Sequence, residues 1–342
     1  MDVLSPATIT LAVAFAAALS AAGVLTALRS PAVLADVNER SSHSTPTPRT
    51  GGLAVIGAYL ATTALIAAIA PGVRGDLSAL ATLAAATCAF GLIDDVMSLP
   101  ALGKFLVQTA FAVLAAYGLG SFETLPTPFG ALALGAFGAP VTALWIVAFM
   151  NVFNFMDGLN GMAAGAATVG GAALGAAALI AGEPAAGAAF LVVAAASAGF
   201  APFNVGGGRI FLGDNGSQAI AFVLAAAAAM AEKGSAGGFS MALAPLVFAP
   251  FIFDAAWTLA RRTKRRARLS EAHKEHLYQR LNQAGWSHGA VSGLFAAMIG
   301  VSAAVAIAAS GLGGVGLWLA ALALATGFAL TMMIAFRATR RQ

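Results

Sequence analysis

Charge is scarce in this 342-residue chain: 9% of residues are Asp, Glu, Lys or Arg, against 60% that are hydrophobic, and mean hydropathy is +0.87. Soluble domains carry about 25% charged residues, so a water-soluble globular protein is excluded. Cysteine is nearly absent. Cys88 stands alone, which rules out an intrachain disulfide framework and a cysteine-based zinc site, and within an apolar run it reads as a small packing residue. A basic n-region is missing too: Asp2 stands where a cleaved signal would carry Lys or Arg, so the first apolar stretch reads as a retained helix. No polar stretch exceeds about thirty residues, less than a usual domain, and residues 1–342 read as one membrane domain.

Apolar runs of bilayer length are what the chain has in quantity. A hydrocarbon core of about 30 Å needs about twenty apolar residues. Eleven runs qualify, near 6–28, 52–70, 77–93, 101–119, 131–150, 162–181, 186–203, 216–232, 239–260, 289–309 and 313–336. The expectation is an all-α, polytopic membrane protein with about 11 transmembrane helices, its abundant Ala and Gly letting helices approach closely. With the N-terminus outside and the C-terminus cytoplasmic, Arg74 and Lys233 are the only Lys or Arg residues left outside. The longest inner loop, 261–288, opens with Arg261-Arg262-Thr263-Lys264-Arg265-Arg266, an anchor for anionic membrane lipid. No nucleic-acid role is needed to explain it.

The same topology brings five polar clusters to the cytoplasmic face: Asp94-Asp95, Asn151 to Asn160, Asn204, Asp214 to Ser217, and His273 to Arg280. Ionisable groups at membrane depth are costly, so their convergence marks a catalytic or transport site. Adjacent carboxylates at Asp94 and Asp95 call for a cation, a basic partner or a raised pKa, and Lys104 just beyond them suits a site handling phosphate. Asn151, Asn154 and Asp157 recur at helical spacing on one stripe, with Gly158 and Gly161 permitting a break or a close ligand; helix-bridging amides are the plainer alternative. At Asp214 a helix start can receive an anion on its N–H groups, or an aspartate there can hold a divalent metal, or simply cap the helix. His273 and His276 share a face if their segment is helical. That spacing is compatible with metal, but Lys274 and Arg280 nearby favour anion contacts. Asp254 reads as a secondary, structural group.

In PTPRTGG at 46–52, GLIDDV at 91–96, Lys104 and Gln108, NVFNFMDGLNG at 151–161, FLGDNGS at 211–217 and HKEHLYQRL at 273–281, the chain resembles the polyprenyl-phosphate N-acetylhexosamine-1-phosphate transferases, and most closely the branch initiating O-antigen or exopolysaccharide synthesis. The resemblance implies an eleven-helix enzyme of the bacterial cytoplasmic (inner) membrane. It implies transfer of a sugar 1-phosphate from a UDP-N-acetylhexosamine to undecaprenyl phosphate with Mg²⁺ or Mn²⁺, releasing UMP, in a protein compatible with a homodimer. Carried over residue by residue, it makes Asp94, Asp95, Lys104 and Asp157 catalytic and Asp214, with Asp157, the metal site. Asn151, Asn154, Asn160, Asn204, Phe211, His273, His276 and Arg280 become nucleotide and sugar contacts. Asn160 departs from the aspartate most members have, which removes a charge near the nucleotide. The implied attack of the lipid phosphate on the β-phosphorus is direct or passes through a covalent Asp94 intermediate. Two alternatives are a peptidoglycan translocase, whose run of histidines is replaced here by HKEH, and a secondary transporter, which would place its site at the midplane within inverted repeats not seen here.

Overall fold

The structure, a computed structural model, describes residues 4–29, 34–35, 47–205, 207–234, 238–267 and 273–339. His43 and Pro46 of the first inner loop, and 268–272 of the long loop, lie outside the described residues. Along the chain run α1 (Pro6–Arg29), β1 (Leu34–Ala35), β2 (Thr47–Pro48), α2 (Gly51–Ile69), α3 (Arg74–Met97), α4 (Ala101–Gly118), β3 (Thr124–Thr127) and β4 (Gly130–Ala133). They are followed by α5 (Gly138–Phe155), α6 (Met162–Ile180), α7 (Pro184–Val205), α8 (Gly213–Gly234), α9 (Leu243–Val247), α10 (Ala249–Lys264), α11 (Leu277–Gln283), α12 (His288–Ser310) and α13 (Gly313–Thr339). Lipid offers no partner to a backbone N–H or C=O, and helices satisfy both internally. Hydroxyls inside the bundle do likewise: Thr62, Thr63 and Ser197 each donate one turn back along their own helix.

Nine described helices are long and apolar enough to cross a bilayer: α1 to α7, α12 and α13. The other two expected runs behave differently, for separate reasons. α8 is the central helix, packed on α2, α3, α5 and α7. Every residue from Ala219 to Ala231 is buried, so α8 faces protein and small Ala side chains replace the oily ones lipid would demand. The 239–260 run is broken between α9 and α10 at Phe248, because Pro250 has no N–H to offer the Leu246 carbonyl a helical turn earlier. The 131–150 run also starts later than expected. Residues 130–133 pair antiparallel with 124–127 as a hairpin, and α5 begins at Gly138. This hairpin lies at the end of α4 and α5 remote from Lys104 and Asn154, where buried Glu232 of α8 accepts from the Glu123 N–H (2.7 Å), the Thr124 N–H (3.1 Å) and the Thr124 hydroxyl (2.9 Å).

At the other end, three segments with matching small residues converge. Backbone bonds from Phe211 N–H to Pro48 C=O (2.7 Å), Gly51 N–H to Phe211 C=O (3.0 Å) and Gly52 N–H to Leu212 C=O (2.9 Å) tie the entry of α2 to the entry of α8. On α3, a Cβ at Gly91 would lie 2.5 Å from the Asp214 carbonyl oxygen. The glycine is therefore required by the approach of α3 to α8.

Candidate active site

Asp94 and Asp95 are neighbours in the last turn of α3 but have separate tasks. Asp94 is buried; its Oδ2 meets Lys104 Nζ at 2.5 Å and its Oδ1 accepts the Leu99 N–H at 2.9 Å. The turn between α3 and α4 lets Lys104 fold back in this way, with Ser98 in the left-handed region at φ 51°. Asp95 points instead at the start of α8. Its Oδ1 accepts the Asp214 N–H (3.0 Å), and its Oδ2 accepts the Asn215 N–H (3.0 Å) and the Asn215 side-chain amide (2.7 Å). A helix start leaves N–H groups unpaired, and here a carboxylate from another helix takes two of them. The Asp214 and Asn215 N–H groups are occupied by Asp95, and it is this carboxylate that caps the start of α8.

Asp214 is thus left to be oriented by its side chain. Asn154 Nδ2 donates to its Oδ1 at 3.0 Å and to Ser217 Oγ at 2.8 Å, while Gln218 Nε2 donates to its Oδ2 at 3.1 Å. Gln218 accepts from Gln108 (3.2 Å), which accepts from Asn151 (2.8 Å). Lys104 Nζ stands 3.8 Å from Asp214 Oδ2. Asn151, expected at the substrate, instead has its amide donating to Gln108 and the Val147 carbonyl and lies off the cleft wall.

The cleft itself, about 230 Å³, is lined by Arg49, Asp95, Asn154, Asp157, Gly158, Leu159, Asn160, Asn204, Phe211, Leu212, Gly213, Asp214 and His288. Asp157 is not on the α5 stripe with Asn151 and Asn154, because α5 ends at Phe155. It sits in the following turn, and among the described residues its carboxylate has no hydrogen-bond partner. Burial, then the nearby carboxylates of Asp214 and Asp95, push its carboxyl well above the usual range. Asn204 is buried with both ends in use: Oδ1 accepts the Gly161 N–H at 2.5 Å and Nδ2 donates to the Ile210 carbonyl at 2.8 Å. It holds together the turns that carry Asn160 and Phe211. Asn160 lies against Gly208, its carbonyl accepts from Ser292 (2.8 Å), and its N–H donates to His288 Nδ1 (3.4 Å).

The histidine segment is not on the cleft wall and is not helical up to His276. His276 caps α11 and is itself buried, its Nδ1 3.2 Å from Asp254 Oδ1; His273 stacks on it at 5.2 Å. Burial, then His276 and Arg262, lower the His273 pKa. Both imidazoles stand away from the cleft wall, packed on each other and, through His276, on Asp254. Asp254, read from sequence as secondary, is the anchor: fully buried on α10, it accepts from the Leu277 N–H (2.9 Å) and the Tyr278 N–H (3.3 Å). Arg280 lies in the last turn of α11 and also off the cleft wall.

Arg49 and His288 line the cleft and were not singled out from sequence. Arg49 sits inside the PTPRTGG string, and its carbonyl accepts the Asn215 amide at 2.8 Å. His288 opens α12 just after the Ser287 cap; as one of only 4 histidines in an apolar chain, its scarcity was the available signal.

With this geometry in view, relatives become informative. Residues 77–232 match glycosyl transferase family 4. A probable undecaprenyl-phosphate N-acetylglucosaminyl 1-phosphate transferase of Bacillus subtilis is 30% identical over 255 residues, covering 73% of this chain and 70% of that protein. The chain belongs to glycosyl transferase family 4. A decaprenyl-phosphate N-acetylglucosaminephosphotransferase of Mycobacterium tuberculosis is 31% identical over 298 residues, with 78% of this chain and 72% of that protein covered. A phospho-N-acetylmuramoyl-pentapeptide-transferase of Limosilactobacillus fermentum is 29% identical, with 73% and 78% covered. This family member is therefore a multi-pass membrane transferase, and the matched 77–232 stretch carries Asp94, Lys104, Asp157 and Asp214.

Proposed function

We propose that this enzyme transfers N-acetylglucosamine 1-phosphate from UDP-N-acetylglucosamine to undecaprenyl phosphate, releasing UMP, as the first step of a cell-envelope polysaccharide. The observation that carries the reading is the cleft's uncompensated acid, Asp157, beside Asp214, whose own carboxylate stands 3.8 Å from Lys104 Nζ, with Arg49 and His288 on the same wall. Among the described residues no three metal-ligating side chains converge. A Mg²⁺ ion needs only one or two carboxylates, with substrate phosphates and water completing the shell. Asp157 and Asp214 are the residues that would hold it. A Mg²⁺ ion held by these two carboxylates would supply charge neutralisation for the diphosphate and the UMP leaving group.

The protein's own groups then have distinct parts. Phe211 offers a ring to uracil at the cleft wall, while Asn204 and Asn160 shape that wall from behind. Lys104, directed by Asp94, meets the charge growing on the transferred phosphoryl group. The lipid phosphate needs no strong base, since a monoester's second pKa is about 6, and alignment dominates phosphoryl transfer. Asp94 is tied to Lys104 and the Leu99 N–H, which favours direct attack over a covalent intermediate. The basic-residue bias supports a cytoplasmic site in the bacterial inner membrane, with α8 and the broken α9–α10 pair as the two crossings beyond the nine apolar helices.

The test uses purified protein in lipid nanodiscs with UDP-N-acetylglucosamine and undecaprenyl phosphate. Release of UMP that stops on chelation and returns with Mg²⁺ is the expected result. No UMP from any UDP-N-acetylhexosamine would refute it.

A further inference from the structure

The group that presents Asp157 to the cleft lies outside the cleft. α5 ends at Phe155, and a helix end leaves carbonyls open; the Phe155 carbonyl accepts from the Tyr278 hydroxyl at 2.9 Å. Three residues on, Gly158 lies flat against the same tyrosine, and a Cβ there would overlap the phenol oxygen. One side chain thus fixes the chain on both sides of Asp157. Asp157 itself is held by its backbone alone, its N–H donating to the Asn154 carbonyl at 3.1 Å.

Tyr278 is in turn immobilised. It is 1% exposed. Its N–H donates to Asp254 Oδ2 at 3.3 Å, and Asp254 is held on α10 with Thr258 Oγ1 3.3 Å from its Oδ1. A buried tyrosine needs a partner for its hydroxyl, and here the partner is the last carbonyl of the helix that leads to the acid. Neither Tyr278 nor Asp254 lines the cleft, so any effect on chemistry must pass through the 155–158 turn.

We infer that Tyr278, anchored by Asp254, is a positioning residue that sets the direction of the Asp157 carboxylate. The role of the histidine segment is then to brace the cleft from α10. The inference rests on the proposed function only in taking Asp157 as a metal and diphosphate ligand.

Full-length protein in nanodiscs is compared as wild type and Tyr278→Phe, which keeps the ring and removes the hydroxyl. The Mg²⁺ concentration giving half-maximal UMP release should rise about tenfold, the scale of leaving one buried carbonyl without its donor, while the KM for UDP-N-acetylglucosamine moves much less. Amide exchange should quicken in 156–161 and stay unchanged in 213–217. Should Tyr278→Phe fail to fold, Gly158→Ala, which forces the phenol away, carries the same two measurements. Wild-type Mg²⁺ dependence with wild-type exchange at 156–161 would overturn the inference. Equal acceleration at 156–161 and 213–217 would also overturn it, since that reports a general loosening. If the wild type releases no UMP, the transferase reading fails, and exchange at 156–161 alone decides the positioning role.

Discussion

Asp95→Asn changes almost no volume and removes one charge, yet the geometry makes it a severe substitution. The carboxylate accepts at 3.0, 3.0 and 2.7 Å from the Asp214 N–H, the Asn215 N–H and the Asn215 amide. An amide has only one accepting oxygen, and its NH₂ would face a donor. At least one bond is lost and the rest lose their charge assistance, and hydrogen bonds to charged groups contribute about 1.5–3 kcal/mol each. A loss of about 2–4 kcal/mol at the start of the central helix follows. Cys88 supplies the assay: it is the only cysteine and is buried on α3, so a thiol-reactive dye reports when the packing around α3 opens. Asp95→Asn should become dye-reactive at clearly lower temperature. Asp94→Asn, which loosens the Lys104 and Leu99 contacts at the end of α3 but leaves the α8 start capped, should shift dye reactivity less than Asp95→Asn while losing turnover. Identical melting of both variants with the wild type, accompanied by lost activity in each, would show that Asp95 acts chemically and refute the division of labour.

Gly91→Ala places a Cβ 2.5 Å from the Asp214 carbonyl and should destabilise by about 1–3 kcal/mol, as overpacking does, seen in the same dye assay. Lys104→Gln should lower kcat, because its loss removes a positive charge that faces the transferred phosphoryl group, and should also lower melting by leaving buried Asp94 without its partner; unchanged kcat in the UMP assay would exclude it from the site. His273 has a pKa lowered by burial, then by His276 and Arg262, opposed by Glu275 and Asp254. The neutral ring therefore contributes stability that is present above pH about 6.5 and is lost as pH falls through the lowered folded value. Amide exchange in 273–283 should rise on that acid side, and His273→Gln should flatten the dependence. Asp254→Asn should cost about 2–4 kcal/mol by weakening the bonds to Leu277 and Tyr278, seen as earlier melting in the same dye assay.

Much of this site was legible because polar residues in an apolar chain announce themselves. Asp157, Asn160, Asn204, Phe211 and Asp214 were all readable, and they meet at one cleft. Their tasks were less legible. Whether Asp95 touches a substrate or caps a helix depends on what stands opposite, and Asn215 is far away in sequence. Asp254 looked secondary for the same reason: its partners are backbone N–H groups, which every sequence contains. The 124–133 hairpin was hidden because Gly, Ala and Leu fit a membrane helix by hydropathy, and only the turn at 127–130 separates the strands. Asp157 left the Asn stripe because a helix end is fixed by what takes its last carbonyl, here a tyrosine late in the chain.

That last contact has a consequence for how the enzyme is made. Asp95 is synthesised before the α8 start it caps, and Asp254 before the α11 start it caps, so each helix arrives to a waiting acceptor. The α5 end is the reverse case: Phe155 is threaded into the bilayer long before Tyr278 leaves the ribosome. A nascent chain thus carries Asp157 for more than a hundred residues of synthesis with its turn unbraced. Assembly of the working centre waits for the segment that follows α10, and a chain halted before Tyr278 is a membrane-inserted bundle with its acids in place and its turn not yet set.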